Sequence, residues 1–251
     1  MREAEIVLAG GNTSGEVVRI GDTVRKAWTA STPSVHAFLR GIADAGIDVP
    51  AVLGRDERGR QVLEHVPGRL AMDGPPLATD ALTEVGRLVR RIHDASAGFR
   101  PSGGAVWETA IPAPGAELVC HNDLAPWNLV VGGERLVFID WDAAAPSTRL
   151  WDLAYAAQSF TLNDASASPE EAARRLRALV DGYDADAGLR EALPEAIVAR
   201  AAAMRDFLER SHATGREPWA SMHADGHGAH WRAVTRYAAA HRAVWRRILL
   251  A

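Results

Sequence analysis

Asp123, Asn128 and Asp140 are the residues whose types and spacing could most directly do chemistry. They lie in His121-Asn122-Asp123-Leu124-Ala125-Pro126-Trp127-Asn128 and in the strand-like Leu136-Val137-Phe138-Ile139-Asp140-Trp141-Asp142. A carboxylate, then a carboxamide, then a second carboxylate closing a short apolar run suits magnesium-assisted phosphoryl transfer. Asp123 can orient a hydroxyl nucleophile, while Asn128 and Asp140 offer hard oxygen ligands to Mg²⁺ on a nucleotide. Such groups work only if they are held still. Pro126 and the apolar Leu129, Val130 and Val131 predict a stiffened loop running into a strand, which would do that. The plain alternative is a polar turn between buried strands with incidental acids.

The elements before this loop must supply a phosphate-binding surface. Lys26 is the only lysine among 28 Lys plus Arg side chains, so a compact ammonium is wanted there. Contact with α- and β-phosphate oxygens is one such need. Thr23 to Trp28 reads as a strand, whose alternation puts Val24 on the face of Lys26 and leaves Arg25 opposite, in reserve. Upstream, Gly10 to Gly15 separates the strand-like Glu5–Ala9 and Glu16–Ile20. Gly11, Asn12, Thr13 and Ser14 there can close over phosphates with backbone and side-chain donors, or simply turn a hairpin.

Further along, Ser31 or Thr32 caps a helix from near Pro33 to Gly46, followed by strands over Val49–Leu53 and Gln61–Val66. Leu82, Val85, Leu88, Val89 and Ile92 mark a helix capped by Asp80, with His93 beside its stripe as a structural residue. A Gly- and Pro-rich loop, Phe99 to Gly115, leads to the catalytic strand. Helices then follow from the Ser168 capping box, from Pro194 to about Thr214, and through Val234, Ala238, His241 and Trp245. Met222 to Trp231 reads as a mobile lid or acceptor-contact loop, because its glycines interrupt helical spacing and its histidines fit no zinc signature.

Composition bounds the partners. With 47% hydrophobic residues the chain of 251 can bury a sizeable core, and its net charge of -4 provides no basic stripe for nucleic acid or an anionic membrane. There is no uninterrupted apolar run of about 18 residues, so a cytoplasmic protein is the expectation. Cys120, the single cysteine, lies in an apolar run and reads as a buried small hydrophobe.

His121-Asn122-Asp123 with Asn128, and Ile139-Asp140-Trp141-Asp142, together resemble the catalytic loop and metal-binding segment of the aminoglycoside phosphotransferase family. These are small-molecule kinases with a protein-kinase-like fold. Trp127 beside Asn128, and Trp141 where protein kinases usually place Phe, favour that family over protein kinases. The resemblance implies an α+β two-lobed fold. Residues 1–67 would form a small lobe with an antiparallel sheet plus one helix, and 68–251 a larger, mainly helical lobe.

It implies ATP and Mg²⁺ as cofactors and a small-molecule hydroxyl as acceptor. Asp123 would be catalytic, Asn128 and Asp140 would hold the metal, and Lys26 with the Gly11–Ser14 loop would meet the phosphates. Backbone groups of Glu64 and Val66 would meet the adenine edge at the hinge, with Val24 over the base. Asp152 would brace the catalytic loop, or serve as an acid favoured at a helix N-terminus. One departure stands out: no acid lies between Thr23 and Asp44 to pair with Lys26, and His36 is the nearest polar replacement.

The acceptor is less legible. Asp181, Asp184, Asp186 and Glu191 would attract a polycation, or form a solvated helix end. Two rival functions remain: a nucleotide-binding regulator without transfer, which needs no Asp123, and a metal-dependent phosphohydrolase with His121, Asp123, Asp140 and Asp142 as ligands.

Overall fold

The computed structural model describes residues 4–8, 15–133 and 135–251. Short apolar runs separated by turn-forming glycines pair first. β1 (Ile6–Val7), β2 (Val18–Ile20), β3 (Thr23–Lys26), β4 (Val52–Arg55) and β5 (Gln61–Glu64) make a five-stranded sheet in the order β1-β2-β3-β5-β4. All its pairings are antiparallel. Between β3 and β4 runs α1 (Thr32–Asp44), with Pro33 in its first turn and Val35, Phe38, Leu39 and Ile42 buried. Its cap differs in kind from the expectation, because the Ser31 carbonyl, not its hydroxyl, accepts from Ser34 and Val35 N–H. Strand ends also move, with β2 starting only at Val18 and β5 stopping at Glu64. β3 stops at Lys26, and β4 starts only at Val52, beyond Pro50, which has no N–H for a ladder.

The second lobe carries β6 (Arg69–Leu70), α2 (Thr79–Gly98), β7 (Leu118–Cys120), β8 (Leu129–Gly132), β9 (Arg135–Phe138) and β10 (Ala145–Ser147). It continues through α3 (Arg149–Thr161), α4 (Pro169–Tyr183), α5 (Ala187–Thr214), α6 (Trp219–Met222), α7 (Gly228–Ala240) and α8 (Arg242–Leu250). Its strands make two small antiparallel pieces, β6-β8-β9 and β10-β7, which frame the catalytic loop. One apolar core joins α1 to these helices, with Phe38 meeting Phe99 at 5.2 Å and Trp141 at 5.8 Å between ring centroids. The α+β two-lobed arrangement is therefore the one formed. No described helix is long and apolar enough to cross a membrane.

Close approach of α2 and α4 sets the depth of this core. A Cβ on Gly86 would sit 2.1 Å from Leu179 O, and one on Gly182 would sit 2.1 Å from Thr83 O. Neither backbone atom can yield as a flexible side chain would. Gly86→Ala is thus expected to cost about 1–3 kcal/mol by overpacking, read as a lowered urea midpoint with an unchanged m-value.

Several boundaries move from the sequence-based expectation. Asp80 lies in the first turn of α2 and does not cap it, since Ala78 holds the cap position. α5 starts at Ala187, where the Asp186 carboxylate accepts from Leu189 N–H at 2.8 Å, and Pro194 lies inside it. The Asp cap outcompetes the proline start signal because it satisfies an exposed helix N–H. The final helix is broken at His241 into α7 and α8. Met222 to Trp231 is not a loop: α6 passes through a π-turn over His223–His227 into α7. Gly226, at φ 109°, absorbs the one non-helical conformation inside that turn.

Candidate active site

The His121–Asn128 loop leaves β7 at Cys120 and is pinned at once. Asn122 adopts φ 64°, a left-handed conformation that Asn tolerates better than most residues. Its amide nitrogen donates to Ala143 O at 3.1 Å and Ala145 O at 3.2 Å. Its backbone N–H donates to Asp152 Oδ1 at 2.7 Å, and its carbonyl accepts from Arg200 Nη2 at 3.2 Å. The residue before Asp123 is therefore held on every polar side except its own amide oxygen.

His121 ties this loop to the second motif. Its Nε2 donates to Ile139 O at 3.0 Å and its Nδ1 accepts from Asp123 N–H at 3.2 Å, a pattern that requires the neutral Nε2–H tautomer. Asn128 closes the loop on itself, its Nδ2 donating to Asp123 Oδ2 at 2.7 Å and to Asp123 O at 3.0 Å. That orientation leaves the Asn128 amide oxygen for a cation. Pro126–Asn128 forms a single 3-10 turn that delivers Leu129 into β8, so the proline-stiffened holder exists as expected. Burial pushes the Asp123 carboxyl above its ordinary pKa, nearby Asp140 adds to the rise, and Tyr155 and Asn128 draw it back.

Lys26 reaches across from β3 to both acids of the second motif. Its Nζ lies 2.5 Å from Asp140 Oδ1 and 2.6 Å from Asp142 Oδ2, and the side chain is buried. Asp140 takes φ 60° and ψ 61°, a strained choice for a non-glycine residue that starts the 3-10 turn Trp141–Ala143. The turn swings Asp142 round to the same ammonium. Burial lowers the lysine pKa, but the two carboxylates outweigh it and the net direction is up. For Asp140 burial acts upward and the Lys26 charge overrides it, holding the carboxyl below the usual range.

The missing helix acid has a substitute of a different kind. Gln61 on β5 accepts from His36 Nε2 of α1 at 3.1 Å, donates to Ala27 O at 3.0 Å and reaches Asp142 Oδ1 at 3.4 Å. His36 therefore acts one step removed, through Gln61, while Asp140 and Asp142 pair the lysine themselves. Burial lowers the His36 pKa, which keeps the link neutral. Asp140, Asp142 and the Asn128 oxygen form a hard-oxygen set suited to Mg²⁺, and a cation already sits between the acids in the form of Lys26.

The remaining candidates separate. Arg25 turns to Asp56, 3.6 Å distant, and does not join Lys26. Where the resemblance implies a hinge, Glu64 N–H donates to Ala51 O and His65 N–H to Asp22 O, each at 2.9 Å. Val66 follows them and is buried. Gly11, Asn12, Thr13 and Ser14 lie outside the described residues. Of the acidic cluster, Asp181 pairs with Arg190 at 2.8 Å, Asp186 caps α5 and Glu191 pairs with Arg246 at 2.7 Å, while Asp184 stays solvated 3.9 Å from Arg90.

Below the loop, buried Asp152 also accepts from His93 Nε2 at 3.0 Å, and His93 Nδ1 meets Tyr183 Oη at 2.9 Å. Asp152 thus braces the loop from the first turn of α3, so both readings of it hold together. With Cys120 these residues come within metal-ligand spacing, but the carboxylate and ring are already engaged with Asn122 and Tyr183.

Sequence reasoning missed Gln61, Tyr155 and Arg200. Arg200 is buried in α5 with its guanidinium 4.1 Å from the Tyr155 ring centre. A signal existed: it falls on the apolar stripe of Ile197, Ala201, Met204 and Leu208, where a charge has no place without a partner.

The comparisons with known proteins agree with this architecture. Residues 105–189, which include Asp123, Asn128 and Asp140, match the model of the phosphotransferase enzyme family. The trifolitoxin immunity protein of Rhizobium leguminosarum bv. trifolii is 32% identical over 194 residues, covering 71% of this chain and 74% of that one. Among solved structures, an amicoumacin kinase with AMP-PNP and Ca²⁺ superposes with a TM-score of 0.69 at 12% identity, over 92% of this chain and 88% of its own. A choline/ethanolamine kinase family protein from Mesorhizobium loti gives 0.60 at 18% identity, over 97% and 92%. Those two likenesses concern the fold. The immunity protein carries the kinship itself, and by it this chain belongs to the phosphotransferase enzyme family, the aminoglycoside phosphotransferase family whose motifs it bears.

Proposed function

We propose that the protein is an ATP- and Mg²⁺-dependent phosphotransferase that moves the γ-phosphate to a hydroxyl of a small molecule. The observation that carries this reading is the pair of charged motifs that the fold builds: Asp123 locked to Asn128 at 2.7 Å, and Lys26 seated on Asp140 and Asp142. In this reading the first serves the acceptor and the second the nucleotide. Bound Mg·ATP supplies the transferable phosphoryl group and the cation that offsets its charge.

The chain's own residues position and discharge. Asn128 and Asp140 would hold the metal, Lys26 would pass from the acids to phosphate oxygens, and backbone groups at Glu64 and Val66 would meet the base. Asp123 orients the acceptor hydroxyl and takes its proton as the new O–P bond forms and the β–γ bridge breaks, releasing ADP. A non-catalytic regulator has no use for an Asp123 so fixed, and a phosphohydrolase has none for Lys26 between its ligands. The name of the Rhizobium relative supports an acceptor whose phosphorylation disarms a toxic compound.

ADP release with ATP and Mg²⁺ against aminoglycosides, amino alcohols, hydroxylated amino acids and nucleosides tests the reading. Acceptor-dependent release that disappears in Asp123→Ala is expected; absence of ATP binding overturns it.

A further inference from the structure

A second apolar cluster adjoins the catalytic loop. It joins Ala125 of the loop and Tyr155 of α3 to Phe207 and Leu208 of α5 and Trp231 of α7. Its outer skin consists of half-buried Trp127, Trp151, Met204, Trp219 and Met222. Trp127 neighbours Asn128 in the chain, and its ring lies edge-on to that of Tyr155 at 6.4 Å between centroids. An acceptor hydroxyl brought to Asp123 therefore meets aromatic and thioether surface.

Two guanidinium groups stack on the rings of that wall. Arg200 stands over the rings of Tyr155 at 4.1 Å and Trp151 at 5.6 Å, and Arg216 over those of Trp219 at 4.6 Å and Phe207 at 5.4 Å. A cationic acceptor needs open ring faces or free carboxylates. Here guanidinium groups already take a face of Trp151, Tyr155, Phe207 and Trp219. Nearby acids are engaged too: Asp206 pairs with Arg205 at 2.6 Å, Glu209 with Arg232 at 3.6 Å, and Glu217 accepts from Ser221 N–H at 3.1 Å. What the wall lacks is oxygen, since Arg200 Nη1 and Trp151 Nε1 are buried donors without an acceptor among the described residues.

Resting on the phosphotransferase reading, we infer that the acceptor is a neutral or anionic hydroxyl compound with an apolar, ring-bearing body and oxygen acceptors, and not a cation. Trp127 and Trp219 supply the apolar contact, while the exposed Arg216 over the Trp219 ring sets the charge preference.

Three probes with one body test this: 3-phenyllactate (anion), 3-phenylpropane-1,2-diol (neutral) and phenylalaninol (cation), with kanamycin as a polycation. ADP release and intrinsic tryptophan fluorescence are read on the full chain. The anion or the diol is expected to exceed phenylalaninol by about tenfold in kcat/KM, or in quenching affinity if none is phosphorylated. Arg216→Glu, at an exposed position, is expected to shrink that ratio about tenfold with the melting temperature unchanged. Preference for phenylalaninol or kanamycin, a ratio indifferent to Arg216→Glu, or no quenching by any probe overturns the inference while calorimetric ATP binding persists. Loss of ATP binding in wild type removes the underlying reading as well, and is thereby told apart.

Discussion

Asp123→Asn is expected to lower kcat by about 10³-fold while leaving ATP affinity and melting temperature close to wild type. The substitution is isosteric, and the bond that Asn128 Nδ2 now gives to Asp123 Oδ2 at 2.7 Å can be given to the new amide oxygen. The loop itself is pinned through Asn122, by Asp152, Ala143, Ala145 and Arg200, so its path does not depend on the Asp123 charge. What disappears is the group that takes the acceptor proton. Burial makes that carboxylate more basic than an exposed one, which raises what is lost with it. Single-turnover phosphoryl transfer, ATP calorimetry and a thermal melt separate the effects. If the variant keeps more than about a tenth of wild-type kcat, the proton is taken elsewhere and Asp123 only positions the hydroxyl.

How far the site was legible follows from how local each part is. Asp123, Pro126 and Asn128 lie within one short loop, and Asp140 ends the hairpin that follows it, so type and spacing were enough. Lys26 stood out by composition alone. Its partners did not, because the lysine finds Asp140 across 114 residues, and Gln61 reaches Asp142 across 81. A search for an acid in α1 was bound to fail when the link from α1 is a neutral His36–Gln61 bond. Arg200 shows the same limit. Its place on an apolar stripe was visible, but that it reaches the Asn122 carbonyl, 78 residues away, depends on how α3 and α5 pack. Helix boundaries failed for a different reason. Pro194 and the glycines around Gly226 carry strong local signals for starts and loops, and an Asp186 cap and a π-turn override them.

Lys26→Met is expected to act in opposite directions on catalysis and on metal binding. The ammonium sits at 2.5 and 2.6 Å from Asp140 and Asp142, where a divalent cation would also sit. A metal arriving alone must displace it from a buried place. A nucleotide changes that balance, because its phosphates offer the lysine another anionic partner and free the acids for the metal. In wild type, Mn²⁺ used as a probe is thus expected to bind weakly alone and tightly with an unreactive ATP analogue. Removing Lys26 leaves two carboxylates at close quarters with no counter-ion, a state relieved by protonation or by a cation. Mn²⁺ affinity without nucleotide is accordingly expected to rise about tenfold, while kcat/KM falls about 10²- to 10³-fold as phosphate charge goes unneutralised. Lys26→Arg is expected to recover little, since a planar fork does not fit the point between two acids that a compact ammonium fills. Calorimetric Mn²⁺ titrations with and without the analogue decide the matter. Equal affinity for Mn²⁺ alone in wild type and Lys26→Met would mean that the lysine does not guard the site, and would return weight to a phosphohydrolase-like centre that holds its metal before any nucleotide arrives.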